Sequence, residues 1–379
     1  MDIDTKLVQG QKAHDSETGS ISTPIFQSAT FRHKALHEST GYDYSREKNP
    51  TRSNLEKTIA LIESGSAGFA FSTGMAAVAA IFDLFSSGDH FIVGEDLYGG
   101  SYRFFEEFCR KRGLEFSYAD TRNIHSIGRS VKKNTRALFI ETPTNPMMRV
   151  SDISEIAKFA KTKNLLTIVD NTFLTPYFQR PLELGADIVV ESGTKFLGGH
   201  NDTLCGIVAV KDKSLEESLM LIQKTTGAGL SPFDSWLMLR GIKTLAVRME
   251  KSQKNAFEIV NFLKSNASVE TVYYAGLPDH EGYAISKKQA SGFGAMISFS
   301  LKDKSIVEKI LSKVQVIAFA ESLGGVETLI TYPIVQTHSS IPKEMLDKLG
   351  LSDRLLRLSI GIESAEDLIR DLDQAIGHD

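Results

Sequence analysis

From about residue 54 the chain alternates short apolar runs with amphipathic segments, and this pattern constrains the fold more than any other feature. The apolar runs that predict strands are GFAFS, HFIVGE, EFSYAD, RALFIETP, LLTIVDNTF and ADIVVESGT. Between them lie segments with helical periodicity, such as NLEKTIALIES, GMAAVAAIFDLF, YRFFEEFCRKRG and DISEIAKFAKTKN. Continuous apolar strands separated by helices are typical of an α/β fold, in which helices cover both faces of a mostly parallel sheet. Ligands in such sheets bind beyond the carboxyl ends of the strands.

The chain divides into three predicted parts. Residues 1–53 are polar and turn-rich, and their aromatic residues favour an arm that packs on another surface over a disordered segment. Residues 54–245 form the α/β domain. Residues 246–379 form a smaller α+β C-terminal domain, with strands in VETVYYAG, GAMISFSL and RLSIGI.

Two helix starts can be read from the second half of the sequence. The segment 231–266 predicts one long helix that begins at Ser231, with a proline at its first position. The segment SAEDLIRDLDQAI predicts a closing helix in which Ser364 and Asp367 form a capping box.

Composition argues against several classes of function. Hydrophobic residues make up 41% and charged residues 24%, and the formal net charge is -4, so the broad basic surface of a nucleic-acid-binding protein is not expected. The sequence contains neither a signal-peptide pattern nor an apolar stretch that would span a bilayer. The two cysteines form no CxxC pair and the histidines show no metal-ligand spacing. We therefore expect a cytoplasmic protein without a metal, nucleic-acid or membrane partner.

A candidate anion site follows the first predicted strand. In FSTGMAAVAAIF, small and hydroxyl residues precede Gly74, which opens a helix. Free backbone N–H groups and the helix dipole at such a terminus suit a phosphate, although a plain strand-to-helix turn has the same pattern. No GxxxxGK[ST] motif occurs, and no GxGxxG motif stands at a strand–helix junction, which favours a phosphate outside a nucleotide.

Two charged side chains stand at the ends of later strands. Asp170 ends LLTIVDNTF, where it is either a helix cap or the partner of a protonated heterocycle. Lys195 leaves the strand ADIVVESGT between hydroxyl residues, and burial would free its amine for Schiff-base chemistry, whereas a lysine that reaches to solvent is the alternative. A phosphate site, an aspartate, hydroxyls and a lysine together match the needs of pyridoxal phosphate. A nicotinamide or nucleotide enzyme and a non-catalytic cofactor-binding regulator remain alternatives.

The motifs resemble those of a known enzyme family along nearly the whole chain. They are YDYSREKNPTR, STGMAA, DLYGGSYR, ETPTNPMM, VDNTF, SGTKFLGGHND, ESLGGVET and LLRLSIGIESAEDL. In this order they are similar to the Cys/Met-metabolism, or transsulfuration, family of pyridoxal-phosphate enzymes, which includes cystathionine γ-synthases, γ-lyases and β-lyases. The resemblance implies the aspartate-aminotransferase-like fold (fold type I), pyridoxal 5'-phosphate as cofactor in residues 54–245, sulfur amino acids as substrates, and a homotetramer built as a dimer of dimers.

The resemblance also implies roles for the matching residues. Lys195 would hold the cofactor as a Schiff base and then move protons, and Tyr98 would stack on the ring and assist it. Asp170 would pair with the pyridinium nitrogen, and Asn145 would contact the ring hydroxyl and the substrate. The other cofactor-binding residues would be Gly74, Met75, Thr172, Ser192 and Thr194, joined by Tyr44 and Arg46 from the arm of the neighbouring subunit.

Substrate recognition is assigned in the same way. Arg357 would hold the substrate α-carboxylate in a bidentate fork, with Ser322 nearby; a surface arginine is the alternative. The remaining substrate-binding residues would be Asp43, Arg103, Glu321 and Thr337, of which the three charged ones could equally be solvated surface charges.

The reaction itself is less constrained by sequence. Asp43, Arg103 and Glu321 stand where γ-synthases and γ-lyases have similar charges, so these reactions are favoured. Cystathionine β-lyase is the alternative, because several β-lyases share a segment similar to YPIVQTH. Methionine γ-lyase is less favoured, because Gly100 stands where those enzymes have a cysteine, and an O-acetylhomoserine sulfhydrylase is a further alternative. Glu191 and Gly193 depart from the usual HSATKF pattern, and the resemblance does not explain them.

Overall fold

The apolar runs pair into one large sheet. In the computed structural model, which describes residues 1–11, 14–337 and 342–377, this sheet has seven strands in the order β1-β7-β6-β5-β4-β2-β3. The strands are β1 (Ala67–Phe71), β2 (His90–Gly94), β3 (Glu115–Ala119), β4 (Thr135–Glu141), β5 (Leu166–Asp170), β6 (Ile188–Ser192) and β7 (Gly206–Val210).

The large sheet is mostly parallel, as predicted. In the spatial order β6-β5-β4-β2-β3, each strand is parallel to its neighbours. Strand β7 lies between β1 and β6 and is antiparallel to both. Strand β7 was missing from the prediction, although its five residues are all buried. Its register brings Gly206 opposite both Phe71 and Ser192. The connection from β6 to β7, which contains Lys195, therefore lies at the carboxyl edge of the parallel strands.

Helices cover both faces of this sheet. They are α1 (Ile3–Gln9), α2 (Pro50–Ile62), α3 (Gly74–Phe82), α4 (Gly99–Phe104), α5 (Ile124–Arg129), α6 (Ile153–Thr162), α7 (Thr175–Phe178), α8 (Lys213–Thr226), α9 (Pro232–Ile242) and α10 (Leu245–Ser265). A π-helical turn (Phe105–Cys109) and a 3₁₀ turn (Arg110–Arg112) extend α4. Residues of α2 and α6 pack in one hydrophobic core and those of α3 and α8 in another, because alternate residues of each strand point to opposite faces. Within the described residues, no helix is long and apolar enough to cross a membrane.

A second sheet follows α10. Its strands are β8 (Val269–Tyr273), β9 (Met296–Leu301), β10 (Ala318–Phe319), β11 (Leu329–Thr331) and β12 (Leu355–Ser359), in the order β10-β11-β12-β9-β8. The helices here are α11 (Tyr283–Gln289), α12 (Lys304–Lys313), α13 (Lys343–Leu349) and α14 (Ala365–Ile376). The first core continues from the large sheet through α10 to β9 and β12, so the two sheets are held together by shared apolar packing.

Two local predictions were wrong. The long helix starts at Ser231 as expected but breaks between α9 and α10, where the carbonyl of Gly241 accepts from Thr244 N and the Arg248 guanidinium. The backbone here packs so tightly that a Cβ on Gly241 would lie 2.3 Å from the carbonyl oxygen of Gly198. The capping box of α14 is absent: Ser364 is the N-cap without a side-chain cap bond, and the Asp367 carboxylate pairs with Arg370.

The N-terminal arm lies mainly on the surface. Between α1 and α2 the described residues form no helix and only isolated bridges, such as Thr30 with Tyr44. The arm is anchored near its end, where Thr51 Oγ1 donates to Pro24 O and accepts from Phe26 N, both at 2.9 Å. Tyr44 is 46% exposed, which leaves apolar area for another surface to cover.

Candidate active site

A cavity of about 470 Å³ opens at the carboxyl edge of the large sheet, where the sequence predicts the ligand site. Thirteen of the predicted site residues line it: Gly74, Met75, Tyr98, Asn145, Asp170, Thr172, Ser192, Thr194, Lys195, Glu321, Ser322, Thr337 and Arg357. The first nine come from the large sheet and its turns, and the last four from the second half of the chain. The cavity therefore lies where the two sheets meet.

Lys195 lies in the turn after β6, and its amine points into the cavity. Its Nζ donates a hydrogen bond to Ser322 Oγ at 2.6 Å. Burial lowers the pKa of Lys195 to about 8, with a further contribution from the positive charge of Arg357, while Glu321 acts in the opposite direction. A substantial fraction of neutral amine is thus present near neutral pH, as nucleophilic attack on an aldehyde requires.

Asp170 faces the cavity from the end of β5. Its Oδ1 accepts from the backbone N–H and the hydroxyl of Thr172, at 3.0 and 2.6 Å, and Thr172 Oγ1 in turn accepts from Ser192 N at 2.9 Å. Burial raises the pKa of Asp170, and these bonds from Thr172 only partly offset the effect. Because no cation among the described residues offsets that burial, a protonated ring nitrogen in the cavity would complement this carboxylate.

The N-terminus of α3 forms the next wall. Thr73 is the N-cap and accepts from Ala76 N at 3.0 Å, so the first turn of the helix is aimed at the cavity. A Cβ on Gly74 would lie 3.1 Å from Ser192 Oγ, hence glycine lets the helix approach the β6 strand end closely. The result is a cradle of backbone N–H groups and hydroxyls that suits a phosphate.

Arg357 enters from β12 and is 1% exposed. It donates to Asn145 Oδ1 at 2.8 Å, to Ser322 O at 2.9 Å and to Thr331 Oγ1 at 3.0 Å. All three are neutral acceptors, its Nε has no acceptor among the described residues, and burial lowers the pKa of Arg357 to about 10. Glu141 acts on Arg357 electrostatically, but no anion among the described residues accepts a hydrogen bond from this guanidinium, and a substrate carboxylate would supply one.

Tyr98 and Glu141 form the remaining wall. Tyr98 is 40% exposed and its ring folds over Gly100, where a Cβ would lie 2.3 Å from the ring. The backbone N–H of Tyr98 donates to Glu141 Oε2 at 3.0 Å. Glu141 is the register partner of Asp170 on the next strand, and burial together with the Asp170 carboxylate raises its pKa well above the usual range.

Glu141 was not among the predicted site residues. It ends an apolar strand just as Asp170 does, so the same strand-end pattern could have identified it. Further lining residues were also absent from the prediction, and most are apolar or small: Thr73, Val78, Ser101, Phe173, Val190, Leu204 and Leu323.

Four predicted residues do not line this cavity within a single chain. Arg46 stacks on Tyr44 and donates to the carbonyl of Lys224. Asp43 pairs with His33 in the exposed arm, at 3.0 Å, and Arg103 is exposed on α4. That a neighbouring subunit supplies Tyr44 and Arg46 stays a prediction, and no contact among the described residues brings Asp43 or Arg103 to the site.

The residues present fit pyridoxal phosphate. The cavity has an amine of lowered pKa, a buried carboxylate that no cation in the described part of the chain offsets, and a helix N-terminus beside two hydroxyls. When bound, the cofactor would meet Lys195 with its aldehyde, Asp170 with its ring nitrogen and the α3 cradle with its phosphate.

Comparisons with known proteins agree with this fit. A family model described as Cys/Met metabolism PLP-dependent enzyme matches residues 4–377. The cystathionine gamma-synthase/O-acetylhomoserine (thiol)-lyase of Bacillus subtilis (strain 168) is 50% identical over 374 residues, which cover 99% of this chain and 96% of the relative. The cystathionine beta-lyase of Lactococcus lactis subsp. cremoris (strain MG1363) is 46% identical over 374 residues, 99% of this chain and 98% of the relative.

A solved structure shows the same fold. The crystal structure of cystathionine gamma-lyase from Lactobacillus plantarum, complexed with L-serine, has a TM-score of 0.97 and 44% identity, and the match covers 99% of this chain and 98% of that one. The predicted fold type I architecture, enzyme class and cofactor are confirmed. With its motifs, cavity and fold in agreement over the whole chain, the protein belongs to the Cys/Met metabolism family of pyridoxal-phosphate-dependent enzymes.

Proposed function

We propose that the enzyme makes or breaks the C–S bond of cystathionine or a related sulfur amino acid, as a cystathionine γ-synthase or γ-lyase. The main support for this proposal is the position of Glu321. It lines the central cavity together with Arg357 and also lines an adjoining outer cavity of about 860 Å³. A long amino acid whose α-carboxylate binds Arg357 would place its distal ammonium near the Glu321 carboxylate.

Pyridoxal phosphate, when bound, supplies an electron sink for the carbanion at the substrate α-carbon. Asp170 and the α3 cradle hold the cofactor, and Arg357 with Asn145 orients the substrate. Tyr98, Leu204 and Phe173 give the cavity wall apolar surface against which the cofactor and substrate can pack. Lys195 accepts the α-carbon proton, since its amine is largely neutral above about pH 8.

β-Elimination and γ-chemistry place different demands on Lys195. β-Elimination requires removal of the α-proton alone, whereas γ-chemistry requires a second deprotonation at the β-carbon. The Lys195 amine is held only by Ser322 Oγ among the described hydrogen bonds, so a side-chain rotation would let it serve two adjacent carbons. Ser322 itself has a φ of +87°, which places its hydroxyl over the lysine.

Cystathionine β-lyase is the second candidate. Thr337, from the segment YPIVQTH that resembles a segment of several β-lyases, lines the cavity, whereas His338 lies outside the described residues. A relative named as a β-lyase is 46% identical to this chain, close to the 50% of the γ-synthase.

A product assay with cystathionine tests these proposals. Cysteine, 2-oxobutyrate and ammonia would identify a γ-lyase, and homocysteine, pyruvate and ammonia a β-lyase. Without cleavage, formation of cystathionine from cysteine and an activated homoserine would identify a γ-synthase. An enzyme that binds pyridoxal phosphate but gives none of these products would overturn the proposed function.

The assembly and compartment belong to the same proposal. We propose a homotetramer, in which the arm of one subunit brings Tyr44 and Arg46 to the cofactor phosphate of its neighbour. The exposed arm and the open outer cavity beside the site support this arrangement. Cys109 and Cys205 are buried and unpaired, which supports a reducing compartment such as the cytoplasm.

A further inference from the structure

Two carboxyl groups are buried against each other behind the active site. Glu191 lies on β6 immediately before Ser192 and is 1% exposed; Glu63 follows α2 and is 0% exposed. The two side chains are close enough for each carboxyl group to affect the pKa of the other. Because side chains alternate along a strand, Glu191 points away from the cavity that Ser192 faces.

The donors around this pair are too few for two carboxylates. Asn171 Nδ2 donates to Glu191 Oε1 at 2.9 Å. Glu191 Oε2 and both oxygens of Glu63 have no hydrogen-bond donor in good geometry among the described residues. Two adjacent buried carboxylates would repel each other and lack solvation, and a proton shared between them would remove one charge and join two of these three oxygens in a hydrogen bond.

The charged groups nearby do not remove this need. Arg180 acts on Glu63 from the loop after α7, but its Nε pairs with Glu183 at 3.0 Å. Asp170, at the end of the neighbouring strand, adds a further negative charge that acts on Glu191. Burial, the largest cause, raises the pKa of Glu63 to about 7 and that of Glu191 well above its usual range.

A buried network connects the pair to the active site. Asn171 lies between the cavity-facing residues Asp170 and Thr172 in the chain, and its Nδ2 also donates to Gln179 O at 2.9 Å. Gln179 Nε2 donates to Asn171 Oδ1 at 3.0 Å and to Thr142 O, next to the strand end of Glu141, at 3.1 Å. The network therefore supports from behind the strand ends that carry Asp170, Glu141 and Ser192.

We propose that Glu63 and Glu191 share one proton, and that this carboxyl pair is a positioning element that holds Asn171 and thereby the strand end of Asp170. Loss of the shared proton at high pH would leave two buried carboxylates in contact and loosen that strand end. The pairing itself is independent of the reaction catalysed; only its effect on the cofactor rests on the proposed role of Asp170.

Infrared difference spectroscopy of the holoenzyme tests for the proton. Native enzyme minus the Glu191→Gln variant should show the carbonyl band of a protonated carboxyl group, because the introduced amide can donate to Glu63 without a shared proton. Glu63→Gln should remove the same band by the reciprocal bond. Glu107→Gln, at an exposed carboxylate that pairs with Lys111, is the matched control and should retain it. Persistence of the band in both pair variants would overturn the proposal.

Thermal unfolding provides a second readout. A carboxyl group whose pKa is raised by folding stabilises the protein less as pH rises from the unfolded value through the folded one, here between about pH 4.5 and pH 7. The Tm of the native holoenzyme should therefore fall over this window by more than that of Glu191→Gln. If one pair variant fails to fold, the other supplies the comparison. Equal Tm slopes in the native enzyme and the folded variant would contradict the shared proton.

The affinity of the enzyme for pyridoxal phosphate tests whether the carboxyl pair positions Asp170. As the pair loses its proton above about pH 7, pyridoxal phosphate affinity should fall several-fold in native enzyme relative to Glu191→Gln. The comparison cancels the titration of Lys195, which both proteins share. If the infrared band behaves as expected but affinity changes equally with pH in both, the pair does not act on Asp170 and the positioning role is overturned.

Discussion

Lys195 has an amine whose pKa is lowered to about 8, first by burial and then by the charge of Arg357. The nucleophilic form is the neutral amine, which is populated above that pKa. The cofactor-free enzyme should therefore capture pyridoxal phosphate faster as pH rises and reach a plateau above about pH 8. Stopped-flow absorbance measures the capture rate as a function of pH. An inflection near the ordinary lysine value of 10.5 would contradict a lowered pKa for Lys195.

The Arg357→Gln variant tests how much the charge of Arg357 lowers the pKa of Lys195. Removal of the positive charge should raise the Lys195 pKa and shift the capture profile to higher pH. Arg354→Gln, in which the lost guanidinium lies at the surface beside Glu270, is the control and should leave the inflection in place.

Lys195 is also the proton acceptor in the proposed reaction. Lys195→Ala should lower turnover by at least about 10²–10⁴-fold, the usual effect of losing a general acid–base group, and should prevent attachment of the cofactor by borohydride reduction. Lys213→Ala, on the exposed start of α8, should retain both properties. Circular dichroism checks that both variants fold, and normal turnover in Lys195→Ala would refute the role.

At the scale of elements, α14 is tied to the segment before β10 by Asp371. Its carboxylate accepts from the backbone N–H groups of Gln315, Val316 and Ile317, at 2.8 to 3.1 Å. Burial acts to raise the pKa of Asp371, but these backbone bonds outweigh it and hold the pKa below its usual range. Stability from this interaction is present above the unfolded pKa and is lost as pH falls through the lower, folded pKa.

Asp371→Asn should accordingly destabilise the protein by about 2 kcal/mol, the size of hydrogen bonds to a charged group. Asp367→Asn, in the same helix but in an exposed pair with Arg370, should cost less than about 1 kcal/mol. Urea unfolding at neutral pH compares the two variants. Equal losses would show that the backbone bonds to Asp371 contribute little.

The elements differ in how far sequence predicts them. Strands β4, β5 and β6 are continuous apolar runs that end in polar residues, so local pattern alone located Asp170 and Lys195 at one edge. Near the break between α9 and α10, Gly241 packs against Gly198, which is distant in sequence. The local hydrophobic periodicity does not reveal such a contact, so the sequence did not predict the break. The Glu63–Glu191 contact likewise joins α2 to β6, and the sequence showed only that Glu191 was unusual.

At the scale of the whole molecule, the active site needs both sheets. Lys195 comes from the turn after β6 and Arg357 from β12, yet they act on each other electrostatically across the cavity. The predicted boundary at residue 245/246 coincides with the start of α10, but the hydrophobic core is continuous through that helix, so the division into domains stays a prediction. No property of the first 53 residues alone could assign Tyr44 and Arg46 to a neighbour's site; that assignment depends on a second chain.

Complementation between two inactive variants tests whether the arm acts on its neighbour. Lys195→Ala retains a normal arm, and Arg46→Ala retains a normal lysine. If the arm completes the neighbouring site, random pairing in mixed dimers makes half of the dimers hybrid, and each hybrid contains one native site, so about a quarter of full activity returns. If Arg46 serves its own chain, every site in the hybrids lacks one of the two residues and the mixture stays inactive. Co-expression of the two variants, with each expressed alone as the control and Tm measured to confirm folding of Arg46→Ala, distinguishes these outcomes.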